Sequence, residues 1–334
     1  MSSRVIPIKA ATKTVPLVGE IRRDDTHWID SRGRPLRDVR ISITDRCNFR
    51  CRYCMPKEKF EKDHCFLSHT EVLSFEEIIR LGRIFAANGV EKIRLTGGEP
   101  LLRKGIEFLI EELSKLKTWN GKPLDVAVTT NGAALSAKAK SLAAAGLKRL
   151  TVSLDAMDPQ IYKDLNDVNF PIEKTLAGIQ AAKDEGIPSI KINVVVKRGV
   201  NEKELIKIAE HFKGTGIIVR YIEFMDVGTS NGWRLDDVIP SRQIVEEINR
   251  VYPIEPLDPN YTGEVATRWA YKDGSGELGF ISSVSEPFCK ECSRIRLSVD
   301  GKLYKCLFAT EGFDIRQTVS YTHLRAHETL MNLV

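Results

Sequence analysis

From residue 38 onward, hydrophobic positions switch between two periods, short β-branched runs and longer stretches with apolar residues three and four apart. Val39 to Thr44 reads as a strand. Ser74 to Ala87 reads as an amphipathic helix, with Ser74 and Glu77 in capping-box spacing and Gly89 just past its end. The pattern continues with strand Val90 to Thr96, a helix near Arg103 to Leu116, strand Leu124 to Thr130, helix Leu135 to Ala145 and strand Leu147 to Leu154. Helix Ile172 to Glu185, strand Ser189 to Val196, helix Glu202 to Phe212 and strand Gly216 to Phe224 complete it. Six strands with helical crossovers predict an α/β fold with a parallel sheet, open or curved into a barrel. Its active site is expected at the C-terminal ends of the strands.

Both flanks differ from this alternation. Met1 to Leu36 shows neither period and reads as a flexible extension, with a basic bias before Asp24 that is compatible with organelle targeting. After Asp226 a helix, Ser241 to Val251, precedes a Pro- and Gly-rich stretch. Short strands follow, including a hairpin from Arg294 to Val299 and from Lys302 to Leu307 around Asp300-Gly301. The expected organisation is an extension over 1–36, the barrel over 37–227, a smaller α+β domain over 228–317 and an atypical tail over 318–334.

The 334 residues are 42% hydrophobic with a formal net charge of +5, enough to bury a large core and too mild a charge to mark a nucleic-acid surface. No apolar run approaches the roughly 18 residues that span a bilayer. Met1 to Glu20 lacks the apolar core of a secretory signal. A cytoplasmic protein with neither membrane nor nucleic-acid partners is expected. Seven cysteines are too few for a disulfide scaffold, and six fall into two tight groups, Cys47, Cys51, Cys54 and Cys289, Cys292, Cys306, leaving Cys65 over.

Cys47-x-x-x-Cys51-x-x-Cys54 follows the first strand, at the rim where ligands bind. Three thiolates can converge on one metal. A structural zinc site takes four ligands, with only His64, Cys65 or His69 nearby to complete it, whereas three thiolates on an iron-sulfur cluster leave one iron open. Thr96-Gly97-Gly98-Glu99-Pro100 follows the second strand at the same rim. Its glycines would let a ligand approach the backbone, and its carboxylate would take an ammonium group.

The run Cys47-Asn48-Phe49-Arg50-Cys51-Arg52-Tyr53-Cys54 resembles the signature of radical S-adenosylmethionine (SAM) enzymes. The resemblance implies that the parallel sheet curves into a partial (β/α)6 barrel, and that Cys47, Cys51 and Cys54 hold a 4Fe-4S cluster whose free iron chelates SAM. It also implies SAM contacts at Tyr53, Gly98, Glu99, Ser153 and Met225.

Cys289-x-x-Cys292 with Cys306 alone could be a zinc ribbon lacking a ligand. After a radical-SAM triplet it reads as an auxiliary 4Fe-4S cluster. Together with Ser293-Arg294-Ile295-Arg296-Leu297 it resembles the GTP 3′,8-cyclase family of molybdenum cofactor biosynthesis, from about Gly33 to Gln317. The resemblance implies GTP contacts at Arg40, Arg94, Thr129, Lys191, Arg294, Ile295 and Arg296, with Arg40, Arg294 and Arg296 assisting the chemistry. In that family the 5′-deoxyadenosyl radical takes hydrogen from the ribose C3′, and the sugar radical attacks guanine C8. Implied partners are GTP, an electron donor and cyclic pyranopterin monophosphate synthase downstream, with a homodimer allowed. A peptide-modifying radical-SAM enzyme and a two-cluster electron carrier are the competing readings, and six clustered cysteines are two short of the second.

Two expectations stay open at this level. A two-residue turn at Asp300-Gly301 would pair Ile295 with Cys306, turning Cys306 away from Arg294 and Arg296, unless a bulge or twist intervenes. The chain also ends Leu333-Val334 where family members end Gly-Gly. Val319 to Val334 is therefore expected to pack poorly and to limit product formation.

Overall fold

The computed structural model describes residues 23–24, 27–58, 60, 64–227 and 232–316. The expectations for residues 1–22 and for the tail beyond 316 lie outside them. Six parallel strands appear in the expected order: β1 Asp38–Ser42, β2 Lys92–Thr96, β3 Asp125–Thr130, β4 Arg149–Ser153, β5 Ser189–Val196 and β6 Ile218–Glu223. The crossovers are α1 Phe75–Ala87, α2 Ile106–Ser114, α3 Leu135–Ala144, α4 Pro159–Asn166 with α5 Ile172–Asp184, and α6 Leu205–Phe212. No helix of the described residues is long and apolar enough to cross a membrane.

Local chemistry starts these helices. At α1 the Ser74 hydroxyl accepts from the Glu77 N–H while the Glu77 carboxylate accepts from the Ser74 N–H, so two orphan donors are satisfied reciprocally. Ile78, Leu81 and Phe85 then share its buried face. Helix α4, absent from the sequence expectation, begins on Asp158, which accepts from the N–H groups of Gln160 and Ile161, with Pro159 in the first turn.

Strand alternation divides the sheet into two faces. Val39, Ile41, Ile93, Leu95, Val126 and Val128 point into the hydrophobic core under the helices. Arg40, Arg94 and Thr129 point to the opposite face, which is concave. On a flat sheet β2 and β6, four strand spacings apart, would be separated by roughly 19 Å. Yet Arg94 and Arg220 both reach the Thr151 hydroxyl, at 3.1 and 3.3 Å. The concave face is therefore the lumen of a partial barrel.

One expectation about the flanks is corrected. Residues 28–36 are not a loose extension: Trp28 is buried edge-on against Phe85, Leu36 is buried, and the Leu36 N–H donates to the Trp28 carbonyl. A single aromatic and a tight turn do this without any periodic pattern. The C-terminal segment, in turn, does not form a sheet of its own. After α7 Ser241–Val251 it supplies β7 Ile254–Leu257, β8 Thr267–Tyr271 and β9 Glu277–Ile281, then β10 Arg294–Leu297, β11 Lys302–Tyr304 and β12 Phe313–Asp314. Strand β9 pairs parallel with β6, and β10 parallel with β1. One twelve-stranded sheet results, in the order β12-β11-β10-β1-β2-β3-β4-β5-β6-β9-β8-β7. Residues 282–293, which carry Cys289 and Cys292, run from the C-terminal end of one edge strand to the N-terminal end of the other.

Candidate active site

At the upper rim, where the strands end, the first cysteine loop is pinned from below. Phe49 is buried and packs on Phe170 and Tyr162, with ring centroids 5.3 and 6.5 Å away. The N–H groups of Arg50 and Arg52 donate to the carbonyls of Asn166 and Leu165 at the end of α4. The paired glycines let this loop pass close to their backbone. A Cβ at Gly97 would collide with the Thr44 carbonyl and one at Gly98 with the Arg46 carbonyl. In their absence Gly98 and Glu99 donate backbone hydrogen bonds to those same carbonyls, at 2.7 and 2.8 Å.

The Glu99 carboxylate also departs from expectation. It is buried and already accepts from the Thr130 hydroxyl, the Asn131 N–H and the Leu101 N–H, at 2.7, 2.7 and 3.0 Å. It therefore fixes the end of β3 against the glycine loop. Burial pushes its pKa up, and these three donors only oppose the shift. Tyr53 donates to Asp155 at 2.6 Å, while Asp155 accepts from the Val195 N–H at 2.8 Å. Burial raises Asp155 to about 6 against those two hydrogen bonds. Ser153 ends β4 and Met225 follows β6, both half-buried at this rim.

The three thiols influence one another. Burial pushes Cys47, Cys51 and Cys54 up, Cys54 to about 11, and neighbouring thiols add to the shift of Cys51 and Cys54. Glu99 and Asp155 add negative potential to Cys47 and Cys51 respectively. Thiols held in the neutral form fit a metal centre, which releases the protons as it binds.

Below this rim the lumen is lined with cations. Strand register places Arg296, Arg40 and Arg94 side by side on β10, β1 and β2. Arg94 donates to the hydroxyls of Thr129 and Thr151, both at 3.1 Å. Burial pushes Arg40 down to about 9, and the like charges of Arg296, Arg94 and Arg294 add to that against Asp38. Lys191, on β5, is depressed to about 8 by burial and then by Arg220. Arg220 itself falls to about 9 through burial and Arg94. The Nε atoms of Arg37, Arg40 and Arg220, together with Asp38 Oδ1 and Asn193 Oδ1, are buried without a hydrogen-bond partner in the protein. Buried polar atoms are ordinarily paired, so a row of unpaired ones marks a place for a polar ligand.

Arg220, Thr151 and Asn193 were missed by sequence reasoning. The signal was present, because Val219 and Tyr221 are buried on the core side of β6 and leave Arg220 facing the lumen. Ile295 brings no side chain to the lumen. Its side chain lies on the face of β10 opposite Arg294 and Arg296, within the hydrophobic core.

The lower rim holds the second triplet. Three residues rather than two form the β10–β11 loop, since Arg296 pairs with Tyr304 and Leu297 with Leu303. Gly301, at φ 88°, supplies the left-handed position that closes such a loop. The ladder ends at Tyr304, and Cys306 lies two residues beyond it, within electrostatic reach of Arg296. Arg294 Nη2 lies 3.4 Å from Cys292 Sγ. Burial pushes the Cys292 thiol up, but Arg294 first, and Arg34 also, bring it below its ordinary value. A cavity of about 300 Å³ opens beside Lys92, Arg149, Tyr261 and Arg294 at this end. Three thiols among guanidinium groups fit a sulfide-rich, electron-rich cluster better than a bare divalent cation. Among the described residues no three Cys, His, Asp or Glu side chains are drawn together as metal ligands. Cys65 stands apart from both groups.

Residues 41–212 match the radical SAM superfamily, and residues 217–334 match Molybdenum Cofactor Synthesis C, a span that includes the tail set apart on sequence grounds. A GTP 3′,8-cyclase of Acidothermus cellulolyticus is 50% identical over 290 residues, covering 87% of this chain and 79% of the relative. One from Xanthomonas campestris pv. campestris is 49% identical over 302 residues, covering 89% and 88%. Among solved structures, Streptococcus suis SuiB bound to S-adenosylmethionine shares the fold at a TM-score of 0.62 and 14% identity, over 84% of this chain and 63% of SuiB. With half its residues identical over nearly the full lengths compared, the chain belongs to the GTP 3′,8-cyclase family of the radical SAM superfamily.

Proposed function

We propose that this chain cyclises GTP to 3′,8-cyclo-7,8-dihydro-GTP, with a 4Fe-4S cluster held by Cys47, Cys51 and Cys54 and a second held by Cys289, Cys292 and Cys306. When bound, the first cluster supplies the electron that splits SAM into methionine and a 5′-deoxyadenosyl radical. Tyr53, the Gly98 backbone, Ser153 and Met225 line the SAM site at the upper rim. Glu99 acts as a positioning residue there, because its carboxylate is already engaged by Thr130, Asn131 and Leu101.

The observation that carries the reading is the cationic lumen between the two cysteine groups. Arg40, Arg94, Lys191, Arg220 and Arg296 bear positive charge where burial opposes it, and two of them keep an unpaired Nε. A polyphosphate offers each guanidinium the charge-assisted, forked hydrogen bonds it lacks. Thr129 and Thr151 hold the Arg94 fork in orientation. GTP anchored by this row presents its ribose toward the SAM rim, and the walls of Val, Ile and Leu behind the lumen keep the sugar radical from solvent. Hydrogen lost from C3′ goes to the 5′-deoxyadenosyl radical, and attack on guanine C8 leaves an unpaired electron on the guanine ring that one further electron from the external donor and one solvent proton would quench to the dihydro product. The product passes to cyclic pyranopterin monophosphate synthase, and an external electron donor is required.

The test is anaerobic reconstitution, followed by 5′-deoxyadenosine formation with and without GTP. SAM cleavage that depends on GTP supports the reading. Cleavage indifferent to GTP and stimulated by a peptide would replace it with a peptide-modifying activity.

A further inference from the structure

The turn before the first strand does more than cover the core. The Asp30 N–H donates to the Arg34 carbonyl and the Gly33 N–H to the Asp30 carbonyl, at 3.0 and 2.9 Å. Asp30 Oδ1 also accepts from the N–H groups of Arg32 and Arg34, at 2.9 and 3.0 Å. Trp28 and Leu36, both buried, anchor the two ends of this hook. Asp30 Oδ2 takes two hydrogen bonds from the Arg34 guanidinium, at 2.7 and 2.5 Å, which sets the plane of the fork. The remaining arm, Nη1, then donates to the Cys289 carbonyl at 2.7 Å.

Elsewhere the main chain around the same short turn is held by backbone contacts. The N–H groups of Arg37 and Asp38 both donate to the Ser293 carbonyl, at 3.0 and 3.1 Å. On the far side Gly263 lies so close that a Cβ there would sit 2.7 Å from the Glu291 carbonyl oxygen. Arg34 thus holds the turn through its backbone, where Arg294 reaches its Cys292 sulfur, and it turns the positive end of its ion pair with Asp30 toward it. Its 255-residue separation from Cys289 explains why no local motif reveals the contact.

We propose that Arg34, oriented by Asp30, is a positioning residue for the second cysteine group: it fixes the turn that carries Cys289 and Cys292 and places a positive charge beside the sulfurs that hold the auxiliary cluster. This inference rests on the two-cluster reading. A fixed cation next to an iron-sulfur cluster favours its reduced, more negative form and raises its reduction potential. Arg294 and Arg296 face the lumen from the strand behind, whereas Arg34 approaches from outside it. It can therefore tune the cluster without contacting GTP.

The experiment uses the full chain carrying Cys47→Ala, Cys51→Ala and Cys54→Ala, so that only the second group can bind iron. Arg34→Met, Arg34→Gln and Arg34→Lys are added to it separately. After anaerobic reconstitution, iron and sulfide per chain and the midpoint potential of the cluster are measured. The parent is expected to hold about four irons. Arg34→Met should lower the potential or lose iron, Arg34→Gln should lower the potential while keeping most iron, and Arg34→Lys should recover much of the parent value. If Arg34→Met does not fold, the Gln and Lys variants carry the same comparison, because Gln keeps a donor for Cys289 and removes only the charge. Potentials and iron contents equal to the parent in both the Met and Gln variants would overturn the role of Arg34. A parent that takes up no iron would instead overturn the two-cluster reading, and this inference with it.

Discussion

The two rims of the barrel bear the same three thiols in opposite surroundings. At the upper rim Cys47, Cys51 and Cys54 belong to one loop, Glu99 and Asp155 are the acidic neighbours with Arg50 the one opposing charge on Cys47, and every thiol is pushed up. At the lower rim Cys289 and Cys292 come from one segment and Cys306 from the next hairpin, and the charged neighbours are Arg34, Arg294 and Arg296. The upper triplet is assembled by local spacing, and its charged surroundings favour a cationic centre. The lower one is assembled by strand register, and its surroundings favour anions. The lumen between them continues the lower rim's character through Arg40, Arg94, Lys191 and Arg220. Three cysteines by themselves do not specify a site's role; the charge around them sets the two rims apart.

That separation breaks most visibly on cysteine removal. Replacing Cys47, Cys51 and Cys54 by Ala is expected to halve the iron of the reconstituted chain and abolish 5′-deoxyadenosine formation. Replacing Cys289, Cys292 and Cys306 should also halve the iron, but leave SAM binding in place while cyclised product disappears. Iron and sulfide analysis with product chromatography reads both. Equal loss of SAM binding in the two variants would show that the rims are not distinct.

Arg40→Met and Arg296→Ala come next. Each removes a charge-assisted contact of about 1.5–3 kcal/mol, so GTP affinity should fall roughly ten- to a hundredfold with SAM affinity unchanged. The account also predicts an opposite sign for stability. Removing Arg40, crowded by Arg296 and Arg94 in a buried row, should leave the ligand-free protein as stable or more so in thermal unfolding. A destabilised ligand-free Arg40→Met protein would mean the row is already compensated without GTP.

Gly98→Ala sharpens the upper half of the comparison. The added methyl meets the Arg46 carbonyl, a backbone atom that cannot move without dragging the cysteine loop. A cost of about 1–3 kcal/mol and weaker iron retention at the first site are expected. GTP binding to the lumen should be spared.

The lumen also predicts a pH effect. Lys191, ordinarily near 10.5, sits at about 8, so the unfolded chain binds more protons between those values. Its destabilising contribution is fully present below pH 8 and fades as pH rises toward 10.5. A bound polyphosphate should restore the higher value. GTP binding at pH 8.5 is then expected to take up protons, and binding at pH 6.5 to take up none from this group. Titration calorimetry in buffers of different ionisation enthalpy measures the difference. Smallest of all, Cys65→Ser should change neither iron content nor activity.

Much of this was legible in the chain because it is written in local spacing. The six parallel strands, five of their crossovers and both cysteine groups follow periodicity or short motifs, and Arg40, Arg94, Thr129, Lys191, Arg294 and Arg296 fall on the lumen face. What escaped depends on distant partners. Arg220 faces Thr151 only because the sheet curves. Cys306 comes within reach of Arg296 after a three-residue loop that Gly301 closes. Residues 28–36 fold only because Trp28 finds Phe85 and Arg34 finds Cys289. Pairing of β9 with β6 and β10 with β1 extends one sheet where a composition change suggested a separate domain.

The central claim is that the cationic lumen holds GTP with its ribose facing the radical generated at the upper rim. The most direct measurement is turnover with GTP deuterated at C3′, followed by mass spectrometry of the 5′-deoxyadenosine. The account predicts that deuterium from C3′ appears in the 5′-deoxyadenosine, and that Arg40→Met diminishes this transfer more than it diminishes SAM binding. Abundant 5′-deoxyadenosine free of deuterium, formed equally well without GTP, would contradict it.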